Sequence, residues 1–415
     1  MKFPYAEVEF TTTGAPHDLA QRDAAVAAVN EAGATDVVLL AHGWNNDMAA
    51  ARGLYQRLTD QVAAVTARAD AGDRRVAVIG LLWPAKQWAD EDLIAGGGVG
   101  LGDDEAALHT ALVDAIDDPV VADRLQALVP ALDASATARR EFLDLLRSQL
   151  PAPPPGDEDP PPSALVAGDA EHVFDVANAP ETNPNAPERP GGAAELAGAA
   201  GFSLGGFLRA ARNLLNTTTY YTMKERAGNV GANGAADLLR TLADRAQPTR
   251  RHLVGHSFGA RVVAAASAQQ ATAHSMMLLQ GAFSHHGFAA DYDGQGHDGL
   301  FRHTLTGPQL TGPLLVTHTA NDRAVGLAYA IASRLAGQQA AGIGGPDDRY
   351  GGIGRNGALR TPEADPPDGQ LLEVGGDYQF APGRVYNLNA DAFIADHGAV
   401  TGPQVAYALV RGMVS

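Results

Sequence analysis

The residues best suited to covalent chemistry lie in Gly255-His256-Ser257-Phe258-Gly259, a match to G-x-S-x-G. Leu253 and Val254 before it read as the end of a short strand, and residues 261–266 after it read as a helix. A serine on so sharp a strand-to-helix turn takes strained backbone angles and stands above the sheet edge. There the helix N-terminus directs N–H dipoles at the hydroxyl. Gly255 and Gly259 flank it where a Cβ would crowd the turn. The plainer alternative is a tight turn whose serine only caps the helix.

A serine held this way needs a sheet beneath it. Residues 5–12 alternate as a half-buried strand, and 17–32 read as an amphipathic helix closed by Gly33. Residues 36–41 are a continuous apolar run of the kind buried on both faces of a parallel sheet. His42-Gly43-Trp44-Asn45 follows it, then a helix over 48–67 and a strand over 75–82 that ends in Trp83-Pro84. After the serine turn come strands over 275–280, 312–319 and 385–388, a helix over 325–335, and a final helix over 402–410. Strands alternating with helices at this spacing predict an α/β fold with a mostly parallel, doubly wound sheet. Function in such sheets sits at the carboxyl ends of the strands.

The alternation stalls between the strand ending at Trp83 and a long helix read as starting near Tyr220 and ending near Arg245. Residues 1–86 and 220–415 are therefore read as two parts of one core, and 87–219 as an insertion. Helices are expected near 105–129 and 135–150. Residues 151–190 carry two proline triplets and seven of the eighteen excess negative charges, which reads as a mostly flexible excursion. An insertion above a site reads as a lid, with a decorative insertion as the alternative.

The 415 residues carry a net charge of −18, which argues against a nucleic-acid partner. There is no cysteine, so disulfides and thiolate chemistry are excluded. Residues 1–10 lack the apolar core of a signal peptide, and no apolar run is long enough to span a bilayer. A cytoplasmic protein is the expectation.

Taken together, the chain resembles the α/β-hydrolase fold superfamily. The likeness rests on His42-Gly43 after an early strand, the serine turn in mid-chain, an acid after the next-to-last strand and a histidine after the last. It covers about two thirds of the chain and leaves out the Pro-rich region. The chain is also similar to a group of largely uncharacterised bacterial hydrolase-like proteins. They share the Tyr-x-x-Met-Lys-x-Arg-Ala-Gly run of residues 220–228 and the Thr-His-Thr-x-Asn-Asp run of 317–322. The superfamily order of nucleophile, acid and base implies Ser257, Asp322 and His397. Asp291 or Asp293 is the alternate acid, and Asp396 lies too near His397 in sequence to be preferred.

The chemistry needs these types. A serine hydroxyl requires a base within hydrogen-bond reach, and an imidazole can take its proton and return it to the leaving group. An aspartate holds the imidazole in the required tautomer. The oxyanion needs two donors, assigned to the backbone N–H groups of Phe258 and Trp44. His42, Gly43, Asn45, Trp83 and His256 are expected around the substrate pocket, with His42 also a structural hydrogen-bonder beneath the oxyanion loop. His285-His286 reads as a solvated loop, with lining of the pocket beyond Gln280 as the alternative. The Asp291–Asp298 stretch starts like a calcium loop, but Arg302 stands where a glutamate is required.

The expected function is a carboxylesterase- or lipase-like serine hydrolase acting on a small or lipid-like acyl substrate. No metal or organic cofactor is implied. A peptidase or thioesterase on the same triad is one alternative, and a non-catalytic binding or assembly module is another. A protein partner, if there is one, is expected on 151–190.

Overall fold

Among the described residues, eight runs form strands: β1 (Tyr5–Glu9), β2 (Asp36–Ala41), β3 (Val76–Leu82), β4 (Arg250–His256), β5 (Ser275–Leu279), β6 (Leu314–His318), β7 (Gly369–Gln370) and β8 (Val385–Asn389). In the computed structural model they pair, all parallel, in the order β1-β3-β2-β4-β5-β6-β8-β7. The structure describes residues 1–43, 48–69, 72–85, 105–178, 204–246, 249–269, 271–337, 345–364, 366 and 368–415.

The continuous apolar runs became the buried centre: every residue of β2 and of β5 is buried. Strand periodicity of two divides their side chains between the two faces. Leu39, Ile79, Leu253 and Val316 pack on one side with the helices Leu19–Glu31, Leu204–Asn229 and Phe258–Ser267. Val38, Leu40, Val254 and Met277 pack on the other with Met48–Val65 and Pro403–Val414. From β2 the chain runs outward to β3, then crosses back to place β4 on the opposite side of β2. The winding direction reverses there, and the crevice outside the carboxyl ends of the strands at such a reversal is the usual ligand position in sheets of this kind.

The amino edge of the same strands is fastened by a buried polar cluster. His252 lies between Ser275 Oγ, 2.7 Å from its Nδ1, and Asp36 Oδ1, 3.0 Å from its Nε2. Arg74 and Arg250 also donate to Asp36 Oδ1, at 2.6 and 3.1 Å. These are the residue types of a catalytic triad, yet Ser275, His252 and Asp36 are at most 3% exposed and stand at the end of the sheet away from the crevice. They tie β2, β4 and β5 together.

The insertion differs from its sequence reading in three ways. The helix expected over 105–129 is two, Glu105–Ala115 and Pro119–Leu128, because Asp118 caps the second and Pro119 takes its first position. The long helix does not begin near Tyr220. It runs from Leu204 to Asn229, passes through a π-helical turn at Val230–Ala235 and continues to Arg245. Most consequentially, residues 151–178 are not a flexible excursion. They include the helices Ser163–Ala167 and Ala170–Asn178, whose Leu165, Val173, Phe174 and Ala177 are buried in the same apolar cluster as the sheet.

The charge that argued for flexibility is in part interior charge. Lys224 Nζ donates to both Asp157 carboxylate oxygens at 2.8 and 3.0 Å, to the Asp159 carbonyl at 2.8 Å, and to the Asp159 carboxylate. Residues 179–190, and the glycine-rich stretch 96–100, lie outside the described residues.

Candidate active site

β4 ends at His256, and Ser257 follows with φ 57° and ψ −124°. A non-glycine residue with positive φ is uncommon and stores strain that its surroundings must hold. Here the backbone is held on every side. Ser257 N–H donates to the Leu279 carbonyl, and its own carbonyl accepts from the N–H groups of Ala260 and Ala282, each at 3.0 Å. Phe258 opens the next helix, so first-turn N–H groups and the positive end of the dipole lie beside the serine.

Glycine is required around this turn for space. A Cβ on Gly43 would stand 2.5 Å from the Ser257 Cβ, and one on Gly259 would run into the Ala41 carbonyl. The loop leaving β2 therefore lies directly against the serine. Trp44 and Asn45, the expected second oxyanion donor and a pocket residue, lie outside the described residues.

Asp322, fully buried, follows the turn that leaves β6. Its Oδ2 accepts from His397 Nδ1 at 2.8 Å. The turn is fastened to the loop after β8: Asp391 Oδ1 accepts from Thr319 Oγ1 at 2.6 Å and from Ala320 N–H at 2.8 Å. Asn321 Nδ2 donates to the carbonyls of Asp391 and Ile394 at 3.0 and 2.9 Å. Arg355 Nη1 donates to the Ala320 carbonyl at 2.7 Å. These bonds account for the Thr-x-Asn-Asp spelling of residues 319–322: the first three positions anchor the turn and the fourth faces His397.

His397 is also met from the other side. The His256 ring packs against its ring with centroids 4.9 Å apart, and His256 Nε2 lies 2.8 Å from the His397 carbonyl. The structure thus brings together Asp322, His397 and His256, and His256 is the residue next to Ser257.

His42 and Trp83, both expected around the substrate pocket, are interior side chains bonded to each other. His42 is fully buried and Trp83 is 1% exposed. His42 Nδ1 faces the Gly43 carbonyl at 2.9 Å, and Nε2 accepts from Trp83 N–H at 3.2 Å, which assigns the Nδ1–H tautomer. The Trp83 indole N–H returns to the His42 carbonyl at 2.9 Å, and its ring stacks on His42. Tyr55 completes the network by donating to the Leu81 carbonyl and accepting from His42 N–H.

The alternate acids sit in loops of their own. Asp293 pairs with His297 at 2.6 Å, Asp291 accepts from Gly296 N–H, and Asp396 accepts from Gly398 N–H. The His285-His286 pair is interior instead of solvated. His285 is 0% and His286 8% exposed, and Asn356 Nδ2 lies 2.9 Å from His285 Nδ1. Among the described residues, one group of metal-capable side chains converges, Asp157, Glu158 and Asp159. Lys224 already supplies its cation.

Sequence reasoning missed Tyr55, Asp391, Arg355 and the Lys224 cluster. Each acts on a segment far away along the chain, so no local spacing announces it. For Lys224 the signal was present: it is one of only three lysines. No protein-family model, curated protein or solved structure matches the chain.

Burial keeps several of these imidazoles neutral. It pushes His42 down to about 4 and His256 down to about 3, where the neighbouring His397 adds to the effect. His274 and His286 are each pushed down to about 4, by burial first and then by a neighbouring arginine. For such bases the unfolded chain binds more protons below pH 6.5, so their contribution to stability is complete above 6.5 and fades as pH falls toward 4. Asp159, raised to about 7 by burial, works in the opposite direction, losing its contribution as pH rises through 7. Glu158, also raised by burial, acts in the same direction as Asp159, and the four histidines outnumber the two. The melting temperature is therefore expected to fall steadily from pH 6.5 to 4.5. A flat profile over that range in scanning calorimetry would contradict the neutral buried rings.

Proposed function

We propose that this protein is a serine hydrolase of the α/β-hydrolase fold that cleaves a carboxylic ester or related acyl bond through an acyl-enzyme. The observation that carries the reading is the Asp322–His397 pair, 2.8 Å long with its carboxylate fully buried, at the same sheet edge as a serine held at positive φ. A histidine whose Nδ1–H is committed to a carboxylate presents Nε2 as a base. A hydroxyl on a strained turn at a helix N-terminus is the group such a base serves.

In this mechanism Ser257 Oγ attacks the acyl carbonyl while His397 Nε2 takes its proton. The negative charge that develops on the carbonyl oxygen is met by backbone N–H donors, with Phe258 N–H one of them and the loop after Gly43 supplying the other. Each such donor contributes about 2.7–4 kcal/mol of transition-state stabilisation. Collapse of the tetrahedral intermediate expels the alcohol, which leaves with the proton held by His397. Water then enters, gives its proton to His397 Nε2, and releases the acid by the same steps in reverse. Asp322 stays ionised and stabilises the imidazolium each time it forms.

Rapid mixing with p-nitrophenyl acetate tests the acyl-enzyme. A burst of p-nitrophenolate equal to the enzyme concentration, followed by a slower steady state, is expected. Linear release from the first turnover, with no acyl adduct in the acid-quenched protein, would refute a covalent intermediate that outlives its formation.

A further inference from the structure

We propose that His256 is a positioning residue for the general base: its Nε2–H holds the His397 carbonyl and thereby fixes the distance between the base and the nucleophile. This deepens the hydrolase reading and rests on it.

Three observations carry it. His256 and Ser257 are covalent neighbours, so a bond from His256 to His397 ties the nucleophile's own strand to the loop of the base, with no intervening element to flex. The bond is 2.8 Å long and the acceptor is a carbonyl, so the ring nitrogen must be the donor. His397 is thus gripped at two points, its Nδ1 by Asp322 and its backbone by His256. Neither grip uses Nε2.

Placement follows from the sequence. In β4, alternation puts His252, Val254 and His256 on one face, and Val254 packs in the cluster of the C-terminal helix Pro403–Val414. The loop holding His397 leads into that helix, so the ring of the residue before the serine is aimed at this loop. Buried Nδ1 of His256 has no hydrogen-bond partner. That is the cost of choosing the one tautomer that can donate from Nε2. Burial and the nearby His397 hold the ring neutral, so it does not oppose the imidazolium formed during turnover.

The test compares His256→Gln, His256→Asn and His256→Phe. A glutamine amide nitrogen reaches close to where imidazole Nε2 lies, an asparagine amide falls short of it, and phenylalanine keeps the ring without a donor. The measured quantities are kcat and KM for p-nitrophenyl acetate, the melting temperature, and the low-field proton resonance of His397 Nδ1–H. Phe and Asn are expected to lower kcat by about 10–100-fold, the scale of a small misplacement of a catalytic group, with KM little changed. Gln is expected to recover most of that loss, and the low-field resonance should persist in Gln and broaden in Phe and Asn.

A packing role predicts the reverse order, with Phe the best replacement, and that order would overturn the proposal. Phe turning over like the wild type would overturn it too. The resonance separates this failure from failure of the hydrolase reading. A wild type without esterase activity that still shows the resonance, lost only in Phe and Asn, would refute the hydrolysis and keep the positioning.

Discussion

Replacing Asp322 by asparagine is expected to lower kcat for ester hydrolysis about 10⁴-fold with little change in the fold, the scale seen when a triad acid becomes an amide. The reason is tautomeric. An ionised Asp322 only accepts from His397 Nδ1, which puts the ring lone pair on Nε2, where the proposed mechanism needs it to take the serine proton. An asparagine amide can turn its NH₂ toward Nδ1, placing the ring proton on Nε2, where it blocks the base. The backbone of the acid turn would be undisturbed, since Thr319, Asn321 and Arg355 anchor it through other atoms. Asp293→Asn is the matched control, because its carboxylate is occupied with His297 in an exposed loop. Equal losses in the two variants would move the acid away from Asp322.

Lys224→Met is expected to destabilise the fold by about 3–5 kcal/mol, the range for removing one partner of a buried ion pair. Lys224, Asp157 and Asp159 have side chains no more than 4% exposed, and Glu158 is 1% exposed. Without the ammonium, three carboxyl groups would share a dry space with no cation donating to them. Burial already raises Glu158, and raises Asp159 to about 7, even with the lysine present. The effect should spread beyond the insertion. Asp159 Oδ2 accepts from Tyr329 on the helix after Asp322, Tyr329 bonds to Tyr220, and Tyr220 packs on Phe258 beside Ser257. Urea titration reads it as a lower midpoint at unchanged slope. Adding Asp159→Asn to Lys224→Met should restore part of the loss by removing one of the carboxyl groups left without a cation. A Lys224→Met protein that unfolds at the wild-type midpoint would show that the cluster is not holding the insertion.

The central strands were legible because their signal is local: an unbroken apolar run such as residues 36–41 admits few other fates. β7 was not, since Gly369-Gln370 carries no periodicity and becomes a strand only by lying beside β8. The insertion was misread for a related reason. A charge count over 151–190 treats Asp157 and Asp159 as solvated, and their partner Lys224 lies more than sixty residues away in sequence. At the site, spacing and order suggested Ser257, Asp322 and His397, because strand ends and turns leave local marks. The contacts that aim them do not. Asp391 reads as one more polar residue in a loop, and His256 reads as a pocket residue until its ring is seen against His397.

The most direct test of the central claim is labelling of the folded protein with a fluorophosphonate probe, wild type beside Ser257→Ala, followed by mass measurement of the intact chain and its peptides. An activated serine is expected to take one adduct, on the peptide carrying Ser257, and the alanine variant none. An adduct on another residue, or a folded wild type that takes none, would contradict the account of Ser257 as the nucleophile.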